Sequence, residues 1–339
     1  MQYNPRPDIL TLHASPSRQT LPNRREYLLS LLACAAGSSA LAQEEEEVTF
    51  STGIKLVNVL VTARDKHGRY VQDLTREDFE IQEDGNTQEI TYFTRETEAP
   101  LSLGMLVDTS GSQSDVLEQE RIAAVNFLAE VLRPDRDTAC VLSFDGRVLK
   151  IQDMTSSLPK LENALEILDL RNPRFRNAGR NPLSKQGRSY AGTRLFDVVF
   201  LASEEILLHR DGRKAVILLS DGVDAGSAVN RKQAIAAAQK ADTAVFSIRI
   251  FDPDVGGGRE GPDVLRRLAK ETGGSYYDVN HGQPLEEVFR DIEEALRSQY
   301  SIGYVSDRDP KPGKFHKLKV RTKRKGIKLQ ARTGYYAAP

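Results

Sequence analysis

Pro100-Leu101-Ser102-Leu103-Gly104-Met105-Leu106-Val107-Asp108-Thr109-Ser110-Gly111-Ser112 is the stretch on which the fold turns. Leu101 to Val107 carries no charged residue, and it stops at a carboxylate, Asp108, followed by hydroxyl and glycine positions. A strand with one wet face alternates apolar and polar residues. A run this uniformly apolar fits a strand buried on both faces, the kind found in parallel sheets covered by helices. The period then changes. Over Ser114 to Leu132, Val116, Ile122, Val125, Leu128 and Leu132 recur at helical spacing, and Pro134 closes the segment.

The same alternation continues outward along the chain. Strand-like runs at Thr138 to Phe144, Ala215 to Leu219 and Thr243 to Ile250 alternate with helical stretches at Leu195 to Leu208, Arg231 to Ala241 and Val264 to Thr272. A further helix is expected over Leu285 to Arg297. Buried strands alternating with helices predict an α/β domain over residues 101–297, a doubly wound, mainly parallel, Rossmann-like sheet whose ligands bind beyond the carboxyl ends of its strands.

The flanks are patterned differently. Ile54, Leu56, Val57, Val59 and Val61 are mostly β-branched, Asp65-Lys66-His67-Gly68 is turn chemistry, and Phe79 to Gln82 alternates before the hairpin signal Asp84-Gly85-Asn86. β-patterning returns after Gln299 with Tyr300, Ile302 and Tyr304, then with Phe315 to Val320. There Leu318 and Val320 alternate with Lys317, Lys319 and Arg321, cations that suit a solvated strand face. Neither flank is long enough for a sandwich of its own. Residues 45–97 and 299–337 are therefore expected to pair into one small β-sandwich with the α/β domain inserted between them.

Residues 1–42 carry a different signal. Arg24-Arg25, the apolar stretch from Tyr27 to Ala36, and small residues ending at Ala40-Leu41-Ala42 have the layout of a signal peptide cut before Gln43. The arginine pair followed by Tyr27-Leu28 resembles a twin-arginine leader. The apolar core is too short to span a bilayer, which takes about 20 apolar residues. In an alternative processing, Leu31-Leu32-Ala33-Cys34 serves as a lipoprotein box and leaves Cys34 as a lipid anchor. The expected location is periplasmic or extracellular. Cys140 lies in the run Ala139 to Leu142 and suits a small buried hydrophobe, so no disulfide is expected. A formal net charge of -1 gives the whole chain no attraction for nucleic acid.

The loop after the first buried strand puts Asp108, Ser110 and Ser112 close together, and two more oxygen donors stand at Thr193, within Gly192-Thr193-Arg194, and at Asp221, directly after the strand ending in Leu219-Ser220. Carboxylate and hydroxyl oxygens are hard ligands that suit Mg²⁺, Mn²⁺ or Ca²⁺. In isolation, Asp108 to Ser112 reads equally well as a helix N-cap, an account that leaves Thr193 and Asp221 unexplained. Asp115 and Asp224 are weaker donors, each explained as well by helix-end charge or loop solvation.

These residues resemble the metal-ion-dependent adhesion site of von Willebrand factor type A domains, Asp-x-Ser-x-Ser with a distant Thr and a distant Asp. The flanking phrases Asp73-Leu74-Thr75-Arg76-Glu77-Asp78-Phe79 and Ala331-Arg332-Thr333-Gly334-Tyr335-Tyr336 are similar to bacterial exported VWFA-related proteins. The resemblance implies that Ser110, Ser112 and Thr193 bind the cation directly, and Asp108 and Asp221 directly or through water. It further implies that a carboxylate of a protein partner takes the open position, and that the domain has an adhesive or scaffolding role rather than a catalytic one. Arg171, Arg174, Arg176, Arg180, Lys185 and Arg188, in a stretch without acidic residues before Thr193, are expected to attract an acidic partner, or else to form a solvated loop. Two alternatives stand beside this reading. A metal-assisted hydrolase needs a general base, and none of His13, His67, His209, His281 and His316 falls in a site loop. An envelope scaffold holds the metal without engaging a partner.

Overall fold

A computed structural model describes residues 8–10, 56–95, 99–110, 117–168, 192–250, 260–279, 284–306 and 313–337. The twin-arginine segment, Cys34, the cleavage position, Ser112, Asp115 and the arginine-rich stretch before Thr193 lie outside the described residues.

The chain contributes β1 (Asp8–Leu10), then β2 (Leu56–Arg64), β3 (Phe79–Glu83), β4 (Asn86–Gln88) and β5 (Ile90–Arg95). The α/β portion follows with β6 (Leu101–Asp108), α1 (Leu117–Val131), β7 (Thr138–Phe144), β8 (Val148–Thr155), α2 (Leu158–Ile167) and α3 (Leu195–Leu201). It continues through β9 (Arg213–Ser220), α4 (Arg231–Lys240), β10 (Thr243–Arg249), α5 (Gly261–Thr272), β11 (Tyr276–Asp278) and α6 (Leu285–Arg297). The last strands are β12 (Tyr300–Val305), β13 (Phe315–Thr322), β14 (Lys328–Ala331) and β15 (Gly334–Tyr336).

The central sheet runs β1-β8-β7-β6-β9-β10-β11. From β7 to β11 every neighbouring pair is parallel, while β8 and β1 add antiparallel at one edge. All of β6 is buried, as its composition predicts. Its Leu101, Leu103, Met105 and Val107 pack with α1, α2 and α6 on one face. Leu106 packs on the other face with Cys140 and residues of α3, α4 and α5. At Gly104 a Cβ would stand 3.3 Å from Val216, so the small residue lets β6 and β9 approach. The fold is the doubly wound α/β class expected from the alternation of strands and helices.

Two elements escape the sequence pattern for physical reasons. β8 is half exposed along most of its length, so Val148 to Thr155 carries no continuous apolar signal. α2 opens Leu158-Pro159, and proline, usually a helix breaker, is tolerated in a first turn. After α3 the helix widens into π-type turns over Ala202–Leu207, with Leu208 N–H donating to Ser203 O at 2.8 Å. The edge strand β1 comes from the segment read as a leader.

The flanking strands form two four-stranded sheets, β14-β2-β12-β5 and β15-β13-β3-β4. Both mix strands from either side of the α/β portion: β12 lies between β2 and β5, and β13 pairs with β3. Their shared core includes Val59, Val61, Ile81, Tyr300, Ile302 and Tyr304. α6 leads straight into β12, and the junction is held by side chains. The Arg64 guanidinium binds Asp291 through both oxygens, Tyr277 Oη donates to Asp291 Oδ2 at 2.6 Å, and Gln72 Nε2 donates to Ser298 Oγ at 2.8 Å.

Candidate metal centre

β6 and β9 are neighbours at the point where the chain turns to opposite sides of the sheet, toward β7 from one and toward β10 from the other. Crevices at such a switch point, beyond the carboxyl ends, are where doubly wound sheets bind ligands. Asp108 ends β6 and Asp221 follows β9, so both carboxylates fall at this crevice.

Asp108 is 1% exposed. Its Oδ2 accepts from Ser220 Oγ at 2.6 Å, and its Oδ1 accepts from Ser110 N–H at 3.0 Å. Burial pushes its carboxyl up to about 6; hydrogen bonds from Ser110 and Ser220 oppose that rise, and the charge of Asp221 adds to it. Asp221 is itself buried, and its Oδ1 accepts from Val223 N–H at 2.9 Å. Two carboxylates are thus withdrawn from water beside each other, and the groups that act on Asp108 are hydroxyls, an amide and a like charge. A divalent cation reverses that balance, so this donor set fits Mg²⁺ or a similar hard ion.

Thr193 reaches the same region through the loop that follows Asp221. Its N–H donates to Ala225 O at 3.1 Å, and its own carbonyl accepts from Ala225 N–H at 2.8 Å. The approach is tight: Gly192 has φ +136° and a Cβ there would lie 2.1 Å from Ala225 O. Asp197, 2% exposed, accepts from Ala228 N–H, Val229 N–H and Arg194 Nη1, fastening the loop after Asp221 to the start of α3. Asp224 accepts from Phe196 N–H at 3.2 Å and from Ser227 Oγ, so it serves the helix start rather than standing free as a donor. Asp108 is therefore bonded to Ser110 and to Ser220, the residue before Asp221, while Thr193 is bonded to Ala225, four residues after Asp221. Ser112 lies outside the described residues.

A second set of metal-type ligands escaped the sequence reading. Glu83, Asp84 and His316 each offer a ligand atom, all within 4.8 Å of one another, and they lie in the sandwich. Glu83 is 0% exposed and accepts from Tyr304 Oη at 2.8 Å, Ser306 Oγ at 3.1 Å and Tyr335 Oη at 3.3 Å. His316 Nδ1 stands 3.1 Å from Glu83 Oε1 and 3.0 Å from Asp84 Oδ2. Burial pushes the Tyr335 phenol up to about 12, so it remains a donor to Glu83. The signal available in sequence was a polar residue at an inward position of β13, where Phe315 to Val320 alternates.

No family model and no curated protein matches the chain. Solved structures do. Proximal thread matrix protein 1 from the mussel byssus matches with a TM-score of 0.46 and 15% identity, over 68% of this chain and 51% of that one. A second structure of that protein, described with a zinc-occupied MIDAS motif, matches with a TM-score of 0.46 and 15% identity, over 64% of this chain and 50% of that one. The vWF domain of the type V pili tip protein Mfa5 from Porphyromonas gingivalis matches with a TM-score of 0.42 and 13% identity, over 58% of this chain and 96% of that one. The chain spans about half the length of the byssus protein. By its own strand order the chain carries a doubly wound α/β sheet, with Asp108 and Asp221 at the switch point between β6 and β9.

Proposed function

We propose that this protein is a metal-dependent binding module of adhesive or scaffolding type. Asp108, Ser110, Ser112, Thr193 and Asp221 would hold a divalent cation, Mg²⁺ or alternatively Mn²⁺ or Ca²⁺, at the crevice between β6 and β9. The observation that carries this reading is the buried Asp108 carboxyl, pushed up to about 6, with Asp221 as a like-charged neighbour. Such a pair costs stability unless a proton or a cation offsets it. When bound, the cation supplies a Lewis-acidic position for an anionic group of a partner. The chain's own residues orient that position. Ser220 and Ser110 fix the Asp108 carboxylate, Val223 N–H fixes Asp221, and the paired backbone bonds to Ala225 fix Thr193.

The partner in this reading is a protein that presents a carboxylate, attracted by the charge of the basic residues between Arg171 and Arg188, and the protein works after export. The experiment is capture of partners from an envelope extract with Mg²⁺ and with excess chelator, using the native chain and Asp108→Ala. Capture that requires Mg²⁺ and is lost in the variant supports the module. Equal capture in chelator contradicts it.

A further inference from the structure

A groove of about 830 Å³ opens on the side of the molecule, lined by β11 and the turn before it, by α5, by Asp291 of α6 and by all of β14. Its charge is lopsided. Arg64, Lys66, Arg266, Lys270 and Lys328 line it, against the carboxylates of Asp65 and Asp291. Both carboxylates are engaged: Asp65 by Arg69 and the amides of its own turn, Asp291 by Arg64 and Tyr277. Lys66, Lys270 and Lys328 are exposed and make no ion pair among the described residues. The groove therefore presents net positive charge that nothing within it neutralises.

Its walls add a second feature. Among the described residues β11 pairs only with β10 and β14 only with β2, so each ends its sheet there. Gln330 spans between them, donating to Gly274 O, and Ser275 Oγ donates back to Gln330 Oε1 at 3.2 Å. An extended polypeptide can hydrogen-bond along a strand edge while its side chains meet the flanking lysines. A polysaccharide lacks the alternating amide donors and acceptors that an edge accepts.

We propose that the groove between β11 and β14 is a second docking site, which takes an extended acidic segment of a partner protein without a metal ion. Lys66, Lys270 and Lys328 select the negative charge, and the edge of β11 or β14 holds the main chain. The proposal goes beyond the cation site and is independent of it, because none of the lining residues is a candidate metal ligand.

The test uses the full chain in excess chelator and a fluorescent decaglutamate peptide, with decaglutamine and polygalacturonate as comparison probes. The account predicts that decaglutamate binds and decaglutamine does not. Replacing the three lysines together (Lys66→Ala, Lys270→Ala, Lys328→Ala) weakens binding about tenfold or more, with an unchanged thermal unfolding curve, since exposed cations contribute little to the fold. Decaglutamate N-methylated at alternate residues also binds more weakly, because it cannot donate to the strand edge. Undiminished binding to the triple variant overturns the proposal, as does a requirement for Mg²⁺. Equal binding of the N-methylated peptide, or tighter binding of polygalacturonate through the same lysines, overturns the assignment to a polypeptide.

Discussion

At the scale of single residues the decisive group is Asp108. Its place at the end of an apolar run was plain in the sequence, because a carboxylate directly after a doubly buried strand has to lie at the sheet's carboxyl edge. Its hydrogen bond to Ser220 was not, since it joins residues 112 positions apart. With a folded pKa of about 6 against an ordinary 3.8, the metal-free native state holds a proton that the unfolded chain releases. The stability that this group contributes is thus fully present below pH 3.8 and is lost as pH rises from there through about 6. In excess chelator at pH 7, Asp108→Asn should unfold at higher denaturant than the native chain, by on the order of 1–3 kcal/mol. The gap should close below pH 4, and Mg²⁺ should stabilise only the native chain. A variant less stable than the native protein in chelator would contradict the picture of an uncompensated carboxylate.

At the scale of elements, the site depends on loops held by close backbone contact. A Cβ on Gly261, at the start of α5, would lie 2.2 Å from Asp221 O, and one on Gly222, with φ +87°, would lie 2.4 Å from Gly261 O. Gly261→Ala should therefore weaken cation binding by displacing the loop of Asp221 without removing a ligand, which titration calorimetry would show as a loss of affinity in a folded protein. α6 offers a contrasting test. Its Asp291 binds Arg64 and Tyr277, whereas Glu293 meets Arg297 at 2.8 Å with the arginine largely exposed. Asp291→Ala should lower stability to urea by about 1–3 kcal/mol, and Glu293→Ala by less than about 1 kcal/mol. Equal costs would mean that the sandwich does not hold α6. Periodicity revealed α3, α4, α5 and α6, because each turns an apolar stripe to the sheet; it found α1 as well but misplaced its buried face, since Ile122 is 50% exposed and the helix packs through Ala123, Ala124, Phe127, Leu128 and Val131. It missed β8 and α2, whose signals are diluted by exposure and by Pro159, and it missed the inward His316, whose partners Glu83 and Asp84 come from the other end of the chain.

At the scale of the molecule, strands from both ends of the sequence close one sandwich, with Tyr300 and Tyr304 buried in its core. A chain ending at Ser298 would lose β12 and β13 and leave β2, β3 and β5 with open edges. It should aggregate or yield to protease in the first flank, as limited proteolysis would show, while the full chain resists. The paired flanks hold the α/β body, and with it the crevice proposed to bind a cation, through the side-chain bonds of Arg64 to Asp291 and of Gln72 to Ser298. The central claim remains the cation itself. Isothermal titration of the metal-free full chain with Mg²⁺, repeated with Mn²⁺ and Ca²⁺ and with Asp108→Ala, tests it most directly. The account predicts one divalent ion bound per chain and none at that site in the variant. Identical isotherms for the native and variant chains, or no heat with any of the three ions, would contradict it.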